Sequence, residues 1–390
     1  MLTLKLAYRN LKGAGLRTWL NVVVLSMAYV LIIWHQGFFT GMLKQASRAM
    51  IDDEIAGGQY WHRNYDPYDP LSLDESHGPI PEALIPLIRE QKAEPILIRQ
   101  AAIYPEGRIQ TVFLRGIDPG QRILNIPTEK LDTKGEGLPV LIGTRMAKSA
   151  SLNIGDDIII RWRDVNGTFD AVEGRIVEIM HTHVQGIDQG QLWLPLERLR
   201  DMTLMKDQAT MIVVGRDVSG QTDLPSWVFK DHAFLLKDIH EMIKGKRIGA
   251  AILYAILLFL AMLAIFDTQV LAIFKRRKEI GTLMALGMTR LRVIALFTIE
   301  GALHGILAIM VAALYGTPLI LWTARYGFAL PQATDSYGFA ISNRLFPSYS
   351  VGLVLITILI VMITVTVVSF LPSRRISRLN PTDALKGKIS

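Results

Sequence analysis

Hydrophobic positions gather into four long runs, Trp19–Phe39, Ile248–Phe274, Val293–Trp322 and Val351–Leu371, and polar positions fill the block Gly41–Gly245 between the first two. Each run reaches the ~20 residues that a helix rising about 1.5 Å per residue needs to cross a ~30 Å hydrocarbon layer. Core helices of soluble domains seldom run so long without charge. Trp19–Phe39 is also longer than the apolar part of a signal peptide, and no small-residue cleavage site follows it. The pattern predicts an α-helical membrane protein with four transmembrane helices and a large α+β domain inserted between the first and second.

Within the polar block, Met42, Leu43, Ala46, Ala49, Met50 and Ile51 keep helical spacing, so the first span is expected to continue as a stalk until Gly57-Gly58. Tyr60–Pro70 reads as irregular, and Pro81–Gln91 as a short helix with proline near its start. Strands are expected at Ile96–Tyr104 and Ile109–Gly116, joined by the turn Pro105-Glu106-Gly107. Val140–Ser151 begins as a strand and becomes a helix. Ile158–Trp162 and Thr168–Ile179 flank Asn166-Gly167, a hairpin signal. Gln191–Leu194 and Thr210–Val214 are further strands around a helix at Leu196–Met205. Lys, Gly and Glu cluster at Leu131–Leu138, where a division into two subdomains is expected.

Charge then orients the spans. The chain has 390 residues, 50% of them hydrophobic and 20% charged, with mean hydropathy +0.30. Lys5, Arg9, Lys12 and Arg17 precede the first run. Lys275, Arg276, Arg277 and Lys278 follow the second, Arg290 and Arg292 precede the third, and Arg374, Arg375, Arg378, Lys386 and Lys388 follow the fourth. The loop Arg325–Ser350 holds only Arg325 and Arg344. Basic flanks stay cytoplasmic, so both termini and the second-to-third connection are expected there, with the large domain facing outward. These flanks account for the net charge of +7, which gives no support to nucleic-acid binding. The absence of cysteine excludes thiol catalysis, zinc–thiolate sites and iron–sulfur clusters.

Enzyme chemistry finds little to stand on. His181 and His183 alternate on a strand and so share a face, as a metal pair would, but no Asp or Glu completes a ligand set at a motif spacing; two surface histidines after a strand is the simpler reading. His232 and His240 lie further on. No nucleophile elbow, metalloprotease helix or phosphate-cradling glycine loop occurs, so no catalytic, cofactor-binding or metal-binding residue is expected, and the domain reads as a handle or binding module. Inside the apolar runs, Asp267 and Glu300 sit at similar depth, where an unpaired charge costs about 2.5–3.5 kcal/mol or more. They form either a functional pair or proton site, or ion pairs reaching toward Arg276, Arg277, Arg290 or Arg292, the favoured reading. His304, one turn beyond Glu300, is placed to hydrogen-bond to it. Gly301 and Gly305 make a G-x-x-x-G that permits close helix packing, at a protomer interface or by chance composition.

Between the second and third runs lies KRRKEIGTLMALGMTRLRV, Lys275–Val293. Ile280, Leu283, Met284, Met288 and Leu291 recur at helical spacing, which predicts a short amphipathic helix punctuated by Gly281 and Gly287. It serves either as an interfacial anchor or as an apolar knob docking on a cytoplasmic subunit. Here the chain resembles the FtsX/MacB/LolC-type permeases of ABC transporters, the mechanotransmission class. LAYRNLKG (Leu6–Gly13) resembles the family's N-terminal helix, RRKEIGTLMALGMTR (Arg276–Arg290) its coupling segment, and LPSRRISRLNPTDALKG (Leu371–Gly387) its C-terminal signature. FLRGIDP (Phe113–Pro119) and LIGTRMAKSASLNIGDDIII (Leu141–Ile160) are similar to stretches of the LolC/LolE and MacB periplasmic domains.

The resemblance implies a multi-pass subunit of the bacterial inner membrane, a homodimer or a heterodimer with a related permease. A cytoplasmic ATPase dimer binding ATP and Mg drives it, and the motion reaches the periplasmic domain. Glu279, Ile280, Gly281, Met284, Leu286, Gly287, Met288 and Arg290 would carry the coupling. The sequence has no G-x-x-x-x-G-K-[ST] loop, so ATP binding is expected on a separate chain. That layout is closest to the LolC/LolE lipoprotein-releasing permeases, with lipoprotein cargo and a periplasmic chaperone or adaptor as further partners. Alternatives are MacB-like export of peptide, lipid or drug and FtsX-like control of a cell-wall hydrolase. The organisation so implied is a cytoplasmic N-terminal helix at 1–17, spans at 18–40, 246–274, 292–323 and 350–371, and a MacB-like periplasmic domain with helical stalks at 41–245. A coupling helix at 275–291, a periplasmic loop at 324–349 and a cytoplasmic tail at 372–390 complete it.

Overall fold

The computed structural model describes residues 15–133, 137–182, 184–218, 223–329 and 344–374. The Leu6–Gly13 segment, His183 and most of the C-terminal signature lie outside the described residues. The chain divides into two compact units, one drawn from 15–42, 242–329 and 344–374 and the other lying within 43–241.

Helix α1 (Leu16–Met50) runs on past its apolar stretch and ends in a π-helical turn, Ile51–Ile55, where the Ala56 N–H donates to the Ile51 carbonyl at 2.8 Å. The stalk stops where the sequence places Gly57-Gly58. A Cβ on Gly57 would lie 2.1 Å from the Gly215 carbonyl oxygen, and Gly58 has φ +127°.

Among the described residues a nine-stranded sheet follows, built from β1 (Gln59–His62), β2 (Ala93–Ile103), β3 (Gln110–Ile117), β4 (Leu138–Gly143), β5 (Asp157–Arg163), β6 (Phe169–Met180), β7 (Gln191–Pro195), β8 (Met211–Val214) and β9 (Trp227–Lys230). Helix α2 (Leu196–Thr203) leads off β7. The strand order is β9-β1-β8-β2-β3-β7-β4-β6-β5, and β2 pairs with β5 as well, so six strands close into a ring. The β3–β7 and β4–β6 pairings are parallel. Strand β5 shows the period-2 logic plainly: Ile158, Ile160 and Trp162 are buried, while Asp157, Ile159, Arg161 and Arg163 are exposed. The buried set joins Leu97, Val112, Leu114, Val140, Ile142, Leu192 and Leu194 in one apolar cluster. Each such side chain contributes about 1.5–3 kcal/mol when fully buried.

The expected division at Leu131–Leu138 is not seen among the described residues: Leu138 opens β4, which pairs with β6 and β7 within the ring, and the residues within 43–241 form one compact unit. Strand β2 runs through the sheet, its residues Ala93–Ile96 pairing with β8 and those from Leu97 onward with β3. Pro81–Gln91 is also less regular than its composition suggests, a 3-10 turn at Glu82–Leu84 followed by a single α-turn at Ile85–Arg89.

Among the described residues four helices are long and apolar enough to cross a membrane: α1, α3 (Lys237–Lys275), α5 (Arg290–Tyr326) and α6 (Val351–Ser373), with the short α4 (Arg277–Ala285) between α3 and α5. Val22, Leu25 and Tyr29 of α1, Ala261 and Ile265 of α3, Ala308 and Ala312 of α5, and Val361 and Val365 of α6 share one apolar cluster. Trp34 and Phe38 stack on Phe328 with centroids 5.4 and 5.9 Å apart, an aromatic group suited to a membrane interface.

Candidate functional site

The predicted single helix over Lys275–Val293 is broken twice. Arg276 leaves helical geometry (φ −98°, ψ 16°), and α4 ends at Ala285. There the Gly287 N–H donates to the Met284 carbonyl at 3.1 Å and the Met288 N–H to the Leu283 carbonyl at 3.0 Å, with Gly287 at φ +92°. That pair of bonds is a Schellman motif, whose left-handed position favours glycine. Thr289 is extended, and α5 begins at Arg290, so Arg290 and Leu291 belong to the first turn of a spanning helix.

This geometry sorts the eight residues read as a coupling surface. Ile280 and Gly281 are buried, and Met284 and Met288 are half-buried; Ile280, Met284 and Met288 pack with Val293, Ile294 and Phe297 of α5. Glu279, Leu286, Gly287 and Arg290 are exposed. The apolar stripe of α4 is thus spent on its own hairpin, and the apolar groups left outside are Leu286, 80% exposed, and Leu291, 78% exposed.

Arg276 fastens the hairpin. Its Nε donates to Glu279 Oε2 at 2.9 Å, its Nη1 to Glu300 Oε2 at 3.2 Å, and its guanidinium lies 5.5 Å from the Phe297 ring centroid. Glu300 is 5% exposed, so the pair keeps a buried carboxylate compensated. Of the four cations weighed as partners for Glu300, the structure joins it to Arg276. The expected pairing of Asp267 is not seen: it is exposed on α3, with no ion pair among the described residues. His304 bonds through Nδ1 to the backbone carbonyl of Glu300 at 2.8 Å rather than to its carboxylate, and its buried Nε2 has no hydrogen bond.

Gly301 and Gly305 face α6 of the same chain. A Cβ on Gly301 would lie 2.0 Å from Ser369 Oγ, and one on Gly305 2.7 Å from Met362 Sδ. The close approach expected of them is therefore used within one protomer, which leaves the protomer-interface reading without this motif. Gln269, 2% exposed, sits over Gly301; nothing in the apolar pattern marked it out from other polar residues in spans.

In the unit within 43–241, His181 Nδ1 bonds to Thr144 Oγ1 at 2.8 Å, and His232 and His240 bond to backbone carbonyls. No cluster of three His, Cys, Asp or Glu side chains occurs among the described residues.

Residues 251–381, from within α3 to beyond α6, match the family model described as FtsX-like permease C-terminal. Over these residues the chain is similar to the FtsX-like permeases. The match takes in α4, the Arg276–Glu300 pair, Gly301 and Gly305, which makes the hairpin a feature of the permease portion. No curated protein matches the chain. Among solved structures, the extracellular domain of the noncanonic ABC-type transporter YknZ from Gram-positive bacteria matches at 13% identity and a TM-score of 0.26, covering 47% of this chain and 94% of that one. That likeness is too distant to bear on fold or activity.

Proposed function

We propose that this FtsX-like permease is the membrane subunit of an ABC transporter, moved by a separate cytoplasmic ATPase and delivering that motion to its outward domain. The observation that carries the reading is the α3–α4–α5 hairpin within the matched region, latched inside by Arg276 and presenting Leu286 and Leu291 outside. A connector braced on its inner face moves as a unit with α3 and α5 when its outer face is pushed, so displacement at Leu286 is passed to the spans. ATP and Mg belong to the partner, and the permease contributes no catalytic group. The basic flanks favour an inner-membrane topology with this hairpin cytoplasmic and the ring domain periplasmic. Pairing with a second copy or a related permease would match a dimeric ATPase. Release of lipoproteins is the task we assign, on the resemblance in layout to LolC/LolE.

Affinity purification of the tagged protein in mild detergent, with mass spectrometry of what is bound, tests this. An ATPase recovered in near-equal amount supports the transporter, and lipoproteins recovered with it support the cargo. Recovery of hydrolases and no ATPase would overturn both.

A further inference from the structure

The outward unit holds a cleft of about 720 Å³ lined by Trp61, Tyr65, Phe234 and Lys230, adjoined by a smaller chamber of about 220 Å³. Arg115 lines both. The register of β3 against β7 pairs Phe113 with Gln191 and Arg115 with Trp193, so these four side chains share one face of the sheet. Arg115 is only 6% exposed and lies 5.2 Å from the Trp193 ring centroid. Among the described residues its guanidinium makes no hydrogen bond, and its counter-charge, Glu54 Oε1, stands off at 3.6 Å. Gln191, 8% exposed, lines the smaller chamber, and its Oε1 is buried without a partner.

Buried guanidinium groups are ordinarily hydrogen-bonded, because an unmade bond to a charged donor costs more than a neutral one. Glu54 neutralises Arg115 without using its donors, so the vacant partner is a neutral acceptor rather than a second anion. Gln191 asks for the opposite, a donor. A peptide unit supplies both groups at once, whereas an acyl chain supplies no donor. The aromatic wall adds apolar contact, with Lys230 Nζ 4.0 Å from the Phe234 centroid and 5.7 Å from that of Trp61.

We propose that this cleft is a peptide-binding site, in which Arg115 donates to a backbone carbonyl of the ligand, Gln191 accepts from a backbone N–H, and apolar side chains lie against Trp61, Tyr65 and Phe234. The inference goes beyond the transporter reading and does not depend on an ATPase.

The test uses the full chain in lipid nanodiscs, without nucleotide, and the amidated tetrapeptide Leu-Phe-Leu-Phe labelled with nitrobenzoxadiazole at its N-terminus. Fluorescence anisotropy is read against empty discs. Saturable binding is expected, weakened at least about tenfold by Arg115→Met, the loss expected for a charge-assisted hydrogen bond. Phe234→Ala, at a half-exposed position that leaves the ring intact, weakens it severalfold and guards against misfolding of the arginine variant. Absence of binding to the wild type, or equal affinity in both variants, overturns the proposal. Displacement of the peptide by dihexanoyl phosphatidic acid, with Arg115 needed for the lipid and not for the peptide, would make the site a lipid site and overturn it equally.

Discussion

At the residue scale, two buried carboxylates behave in opposite ways. Glu300 has Arg276 as a cation, and removing it weakens the compensation of a carboxylate buried in an apolar bundle. Arg276→Met should therefore destabilise the permease by about 3 kcal/mol, read as a lower melting temperature in detergent, and Arg276→Met with Glu300→Gln should recover much of the loss. Equal melting of single and double variants would contradict the latch. Glu94, in β2, makes no ion pair among the described residues; its Oε1 accepts the Asp118 N–H at 2.8 Å, and burial pushes its carboxyl up to about 8. The folded state thus holds a proton that the unfolded chain releases near 4.5, so stability falls as pH rises between about 4.5 and 8. Glu94→Gln removes that slope. Urea unfolding of the β-rich unit, followed by tryptophan fluorescence, should show the variant ahead of wild type at pH 8.5 and level with it near pH 4. Parallel pH profiles would refute this assignment.

At the element scale, turns and tight crossings set what the sequence could announce. The Asn166-Gly167 signal marked the β5–β6 connection because Asp164 Oδ1 caps the Asn166 and Thr168 N–H groups at 2.9 and 2.8 Å around a Gly167 at φ +85°. Such local chemistry is legible. The pairing of β2 with β5, which closes the ring, joins residues far apart in the chain and leaves no local trace. The inward packing of α4 left no trace in a similar way. Helical spacing of Ile280, Met284 and Met288 identified an apolar face, but spacing alone does not say whether a face meets a partner or its own hairpin. Gly287→Ala should cost about 1 kcal/mol, because a Cβ at φ +92° is strained even where space is open; faster hydrogen exchange at the Met288 amide would report it. Gly301→Ala should lower the melting temperature by forcing α5 from α6, and Ser369→Gly should restore it, since the clash is with the Ser369 side chain. A lack of rescue would place the strain elsewhere.

At the scale of the whole molecule, the broad plan was legible because about 20 apolar residues in a row have few other uses. Four such helices and an intervening β-rich domain are what the structure shows. The candidate sites were half legible. Arg276 stood among several basic residues, and only the structure chose it. Arg115 entered only as part of the FLRGIDP resemblance, because an isolated cation in an apolar pattern gives no sign of what surrounds it. On the proposed function, the outer face of the α3–α4–α5 hairpin receives the force of an ATPase. The deciding experiment compares ATPase recovery with the wild-type protein and with Leu286→Asp, a substitution at an exposed site that leaves the Arg276 latch intact. The ATPase should accompany the wild type and be lost from the variant at unchanged melting temperature. Equal recovery with both would contradict it.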